Sequence, residues 1–189
     1  MPFNISDFIG NGLELGGARP TLFEVYVVLP PGLTTVSRQA MENKFRFTCR
    51  ATSIPASTVA SVDVPYFGRQ IKLAGDRTFA DWSVTVMNDE DYLVRDTMEA
   101  WHNAINSIVG NNKTLPGQTY QGQATVIQYG KSGNIIKSYE FADIFPVQID
   151  EMAVDWESTN QIQTFGTTFA YNYWIPNVIS NGTTIDPEA

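Results

Sequence analysis

A chain of 189 residues has the length of one domain, and 43% hydrophobic with 17% charged residues exclude wholesale disorder. A net charge of −8 argues against a nucleic-acid-binding surface, which needs Lys and Arg to neutralise phosphates. One cysteine, Cys49, excludes an intramolecular disulfide and a Cys-rich metal set.

Residues 1–17 read as an N-terminal extension. Asp7, Glu14 and four glycines interrupt them and no basic leading region precedes, so they do not form a secretory signal. No apolar run approaches the ~20 residues that span a bilayer, and a soluble protein is expected. Residues 18–174 form the expected domain. Residues 21–29 and 44–52 have strand patterns; in the second, Phe45, Phe47, Cys49 and Ala51 alternate with Lys44, Arg46, Thr48 and Arg50. The intervening stretch from Pro30 to Asn43 reads as a loop elaboration. Short strands follow over 59–64 and 69–73, separated by Pro65 and Gly68, and over 81–87.

Helical period is confined to residues 89–108. There Val94, Met98, Trp101, Ile105 and Ile108 gather on one stripe, with Asn88 as N-cap, Asp89, Glu90 and Asp91 at the positive helix start, and Gly110 beyond the end. Strands resume over 123–129 and 135–141, joined by a turn from Gly130 to Asn134. Residues 145–149, 151–156 and 162–174 complete the set, and 175–189, with Pro176, Asn181, Gly182 and Pro187, read as a C-terminal extension. Together these elements predict a mainly β chain: an antiparallel β-barrel or sandwich with one packed α-helix.

Chemistry-bearing residues are sparse. His102, the single histidine, sits beside the helix stripe; Cys49 occupies an apolar strand face, where burial raises a thiol pKa. Neither has the second ligand that zinc needs. The carboxylates Asp150, Glu151, Asp155 and Glu157 lack calcium-loop spacing, and Gly10, Gly12, Gly16 and Gly17 lack the Lys and helix start of a phosphate loop. No enzyme activity, cofactor or metal is expected.

Charge is unevenly distributed. Residues 38–77 carry seven basic and three acidic side chains, whereas residues 138–189 carry eight acids and no Lys or Arg. Either folding mixes these stretches, or the molecule has basic and acidic faces that attract copies head to tail into rings or filaments.

Four segments carry a resemblance. The run from Ala74 to Glu90 (AGDRTFADWSVTVMNDE) resembles tail tube proteins of T-even-like contractile phages, as do 18–25 (ARPTLFEV), 47–56 (FTCRATSIPA) and 155–165 (DWESTNQIQTF) with Tyr173 and Trp174. The resemblance covers residues 18–174 and implies a β-barrel-like fold shared with type VI secretion and bacteriocin tubes. It further implies a structural subunit of the virion tail, assembled in the host cytoplasm, whose hexameric rings stack into a hollow tube. Its implied partners are copies of itself, the tail sheath protein, the tape measure protein and baseplate or hub tube proteins, with DNA passing through the lumen unbound. A tube subunit of a secretion or bacteriocin particle is the nearest alternative; a β-sandwich module binding carbohydrate or peptide is another of a different class.

Two sets of residues follow from the apolar pattern. Trp82, Trp101 and Trp156 are expected to be core anchors. Ile54, Val59, Val62, Tyr66, Phe67, Arg69 and Lys72 are expected at a subunit interface, because the Pro- and Gly-broken segment 53–76 is too apolar to stay exposed; the alternative is an ordinary hairpin packed on its own barrel. Arg69 and Lys72 would meet an acidic partner surface.

Overall fold

Alternation along Phe23–Val28 (β1) places Val25 and Val27 in the core and leaves Val28 outside. The computed structural model describes residues 17–34, 37–113 and 115–178, with positions 5 and 10. Most of the expected N-terminal extension and residues 179–189 of the C-terminal one therefore lie outside the described residues.

Strand β1 pairs antiparallel with Gly122–Tyr129 (β6), which turns into Ile135–Ile149 (β7). The turn closes where the Gly130 amide donates to the Asn134 carbonyl at 2.8 Å. The first part of β7 also pairs with Tyr173–Val178 (β9), and the part from Phe145 onward with Thr164–Ala170 (β8). Asp143 marks the changeover: its φ is +60°, and Asn172 donates to its carboxylate at 2.7 Å. Strand β8 then pairs with Trp82–Met87 (β5), and β5 with Cys49–Thr52 (β2). These strands thus form one continuous antiparallel ladder in two parts, β1, β6 and β9 on one side and β8, β5 and β2 on the other, that share β7. Residues 135–141 and 145–149, expected as separate strands, are one element because nothing between them, Asp143 included, ends the ladder.

The sheets close on an aromatic core. Trp82 of β5 stacks on Phe141 of β7 with ring centroids 4.7 Å apart, and lies 5.3 Å from Phe169 of β8. The helix Leu93–Ile105 (α2) adds Val94, Met98 and Trp101 from the predicted stripe. Both fully buried indoles have a partner for the N–H: Trp82 donates to Thr52 Oγ1 at 2.8 Å and Trp101 to the Tyr120 carbonyl at 2.7 Å.

Several expectations are corrected. Residues 44–52 are not one strand: Arg38–Thr48 is a helix (α1) and only β2 is extended. Gln39, Ala40, Met41, Glu42 and Lys44 are good helix formers, and Met41 and Phe45, four apart, are the pair that α1 buries. Period-two alternation placed Phe47 inside, but on the helix it is 72% exposed. Helix α2 starts later and ends earlier than expected. Asn88 does not cap it; its side chain donates to Gln163 Oε1 at 3.1 Å, and Asp91 accepts from the Leu93 amide instead. Ile108 lies beyond the helix and is exposed. Residues 162–174 divide into β8 and β9 at Asn172, and residues 151–156 are loop.

Helix α1 is held to the sheets by charge. Lys44 Nζ lies 2.5 Å from carboxylate oxygens of both Asp89 and Asp91, which lowers both acid pKa values. Arg46 donates to both Glu24 carboxylate oxygens at 3.0 Å, and Tyr26 and Tyr129 each donate to Glu24 at 2.8 Å. Burial alone would push the Glu24 carboxyl up, but the hydrogen bonds from Arg46, Tyr129 and Tyr26 prevail and hold it below its ordinary 4.5. Burial and the same carboxylate raise the Tyr129 phenol to about 12.

Because the folded value is depressed, Glu24 contributes stability above its unfolded pKa and loses it as pH falls through the folded one. Glu24→Gln is therefore expected to flatten the fall of stability below about pH 4.5. Urea melts between pH 3 and 6 check this; an unchanged acid slope would show that the cluster contributes nothing.

Candidate assembly surface

Two features project from this frame without cover from the described residues of their own chain. The first is a ribbon, Ser57–Tyr66 (β3) paired with Arg69–Phe79 (β4), forming its own two-stranded sheet. Every residue of β3 is exposed. Phe67 and Gly68 turn it with positive φ, +42° and +79°. Its foot is fixed: Phe79 packs edge-on to Trp174 at 6.2 Å, and Tyr171 donates to the Ala80 carbonyl at 2.6 Å.

Register gives the ribbon two unlike faces. Val62 opposes Leu73, Val64 opposes Ile71 and Tyr66 opposes Arg69; the other face carries Ser61 with Ala74, Asp63 with Lys72 and Pro65 with Gln70. The register shift falls between Val59 and Ser61, where Gly75 sits so close that an added Cβ would stand 3.1 Å from the Ala60 carbonyl oxygen. A ribbon with one apolar face normally buries it; here Val62, Val64, Tyr66, Ile71 and Leu73 all remain exposed.

Of the seven residues expected at an interface, Val59, Val62, Tyr66, Phe67, Arg69 and Lys72 lie on this ribbon or its turn, while Ile54 is half-buried in the approach from β2. Lys72 is engaged within its own ribbon, 3.2 Å from Asp63.

The second feature is the loop of residues 150–163 between β7 and β8. Its foot is tied by the Asp150 amide to the Gly166 carbonyl (2.9 Å), by Arg95 to the Asp150 carbonyl (2.8 Å) and by Asn88 and Tyr92 to Gln163. At its tip Asp155 accepts from the Glu157 amide and the Ser158 hydroxyl, both at 3.1 Å. That Asx-type turn bends the chain away from the core. Trp156, expected as a core anchor, is consequently fully exposed, with Val154 and Ile162 beside it. Sequence reasoning missed this loop as a surface because Val154 and Trp156 alternate as strand residues do.

The residues weighed for catalysis are absorbed structurally. His102 Nε2 lies 3.0 Å from the Pro146 carbonyl, and burial pushes the Cys49 thiol to about 12. Among the described residues no three His, Cys, Asp or Glu side chains gather as a metal set, and no helix is long and apolar enough to cross a membrane.

An antiparallel β-sandwich thus leaves a ribbon and a loop uncovered among the described residues, which is the surface of a subunit that assembles. Solved structures share this fold. The sheath–tube complex of the PVC extracellular contractile injection system matches with a TM-score of 0.57 at 13% identity, covering 94% of this chain and 99% of that one. The tube-terminating cap of the anti-feeding prophage matches at 0.61 and 14% identity, covering 86% and 92%.

Sequence comparison is more specific. The profile of the family described as phage tail tube protein matches residues 18–177. The tail tube protein gp19 of Enterobacteria phage T4 is 37% identical over 172 residues, spanning 89% of this chain and 98% of that protein. The chain belongs to the phage tail tube protein family, and it is a structural component of the virion tail.

Proposed function

We propose that this chain forms hexameric rings that stack into the inner tube of a contractile tail, through which the genome leaves the particle. The observation that carries this reading is the ribbon β3–β4, whose apolar face has no partner among the described residues of its own subunit. A ring subunit obtains that partner from a neighbour, and the acidic balance of the chain suits a conduit that repels phosphates. The sheath surrounds this tube, the tape measure protein occupies it during assembly, and baseplate or hub proteins cap it. Residues 18–174 are the assembling domain, with the two extensions flanking it.

Electron microscopy of the purified protein tests the reading, with six-fold rings or hollow tubes the expected result. Particles that remain single subunits at every concentration would overturn it. The same tubes are expected to leave labelled single- and double-stranded DNA unshifted near physiological salt.

A further inference from the structure

The two uncovered features stand at opposite ends of the same pair of strands. In the β5–β8 ladder Trp82 faces Phe169 and Met87 faces Thr164. Ribbon β3–β4 runs into β5 at its Trp82 end, whereas the loop of residues 150–163 runs into β8 at its Thr164 end. A six-residue strand separates these ends by about 20 Å. With β3 exposed along its whole length, the ribbon is not folded back toward the loop, and the two features do not cover each other within one subunit.

They are nevertheless complementary. The loop presents Trp156, Val154 and Ile162, together with four acids (Asp150, Glu151, Asp155, Glu157) and no base. The apolar ribbon face presents Val62, Val64, Tyr66, Ile71 and Leu73 with Arg69 opposite Tyr66, and residues 57–79 carry three bases (Arg69, Lys72, Arg77) against two acids (Asp63, Asp76). An exposed aromatic on an acidic loop with a fixed foot, set against an apolar face on a ribbon with an excess of bases, has the composition of an interface centre with a charged rim.

Resting on the tube assembly proposed above, we infer that the Trp156 loop of one subunit docks on the apolar face of the β3–β4 ribbon of another copy. Two different patches at opposite ends of one strand pair give a head-to-tail contact, which builds a ring or an open stack and does not close on a pair.

A photo-crosslinking phenylalanine analogue replacing Trp156 in assembled tubes tests the contact. The expected adducts join residue 156 to peptides from residues 57–79 of a second chain. Trp156→Ala is expected to raise the concentration needed for assembly by at least about tenfold, as truncation of an interface-centre tryptophan does. It should leave the melting temperature of the unassembled chain unchanged, and Trp156→Phe should recover part of the loss. Adducts elsewhere on well-formed tubes, or Trp156→Ala tubes forming at the wild-type concentration, would overturn the docking and leave the ring assembly standing. Failure of the unmodified protein to assemble overturns both.

Discussion

Trp82→Ala is expected to lower the melting temperature of the unassembled chain by about 6–20 °C. The indole is fully buried, stacks on Phe141, touches Phe169 and donates to Thr52. Truncating such a side chain costs about 3–5 kcal/mol, and each kcal/mol is worth about 2–4 °C in a chain of this size. The substitution also strips Thr52 Oγ1 of its donor and leaves a cavity between rigid sheet faces that cannot collapse into it. Thermal melts followed by circular dichroism measure the effect, with Trp82→Phe expected to fall between. A midpoint within 2 °C of the parent would mean that the cavity is filled by rearrangement and that the stack does not anchor the sheets.

The second large effect is dynamic. Among the described residues β3 and β4 pair only with each other, so in the single subunit the ribbon can open without disturbing the aromatic core. Covering its apolar face adds the cost of undocking to each opening. Hydrogen exchange of residues 57–79 is therefore expected to slow by at least about a hundredfold on assembly, each 1.4 kcal/mol being a factor of ten. Strand β2 and the core strand β5 serve as internal references and should change much less. Equal protection of the ribbon in subunit and tube would show that its exposed face is not an interface.

Much of the architecture was legible in the sequence because it depends on local period. The stripe Val94, Met98, Trp101 and the turn from Gly130 to Asn134 each state their element in a few residues. Helix α1 was not legible in the same way. Phe45, Phe47 and Cys49 alternate as a strand would, and the competing signal, Met41 four residues before Phe45, lies in a stretch that Pro30, Pro31 and Gly32 mark as loop. Tertiary contact decided the matter: as a helix the segment buries both Met41 and Phe45 and also brings Arg46 to Glu24 and Lys44 to Asp89 and Asp91. Trp156 failed for a different reason. Side-chain apolarity cannot distinguish a residue that enters its own core from one kept outside, and what keeps it outside is the hydrogen bonding of Asp155, two residues from Glu157 and three from Ser158. The apolar face of the ribbon was visible as composition, but its two-faced character required the register of β3 against β4.

The strand common to both sheets has a mechanical meaning. Most sandwiches join their sheets through loops and side-chain packing, and a shearing load slides one layer over the other. Here β7 is hydrogen-bonded into one layer through β6 and β9 and into the other through β8, with the Asp143–Asn172 contact at the bend. Thrust entering either layer reaches the other through covalent bonds and bonded ladder, with no slip plane across that strand. A body built this way passes a push from one layer to the other without yielding between them.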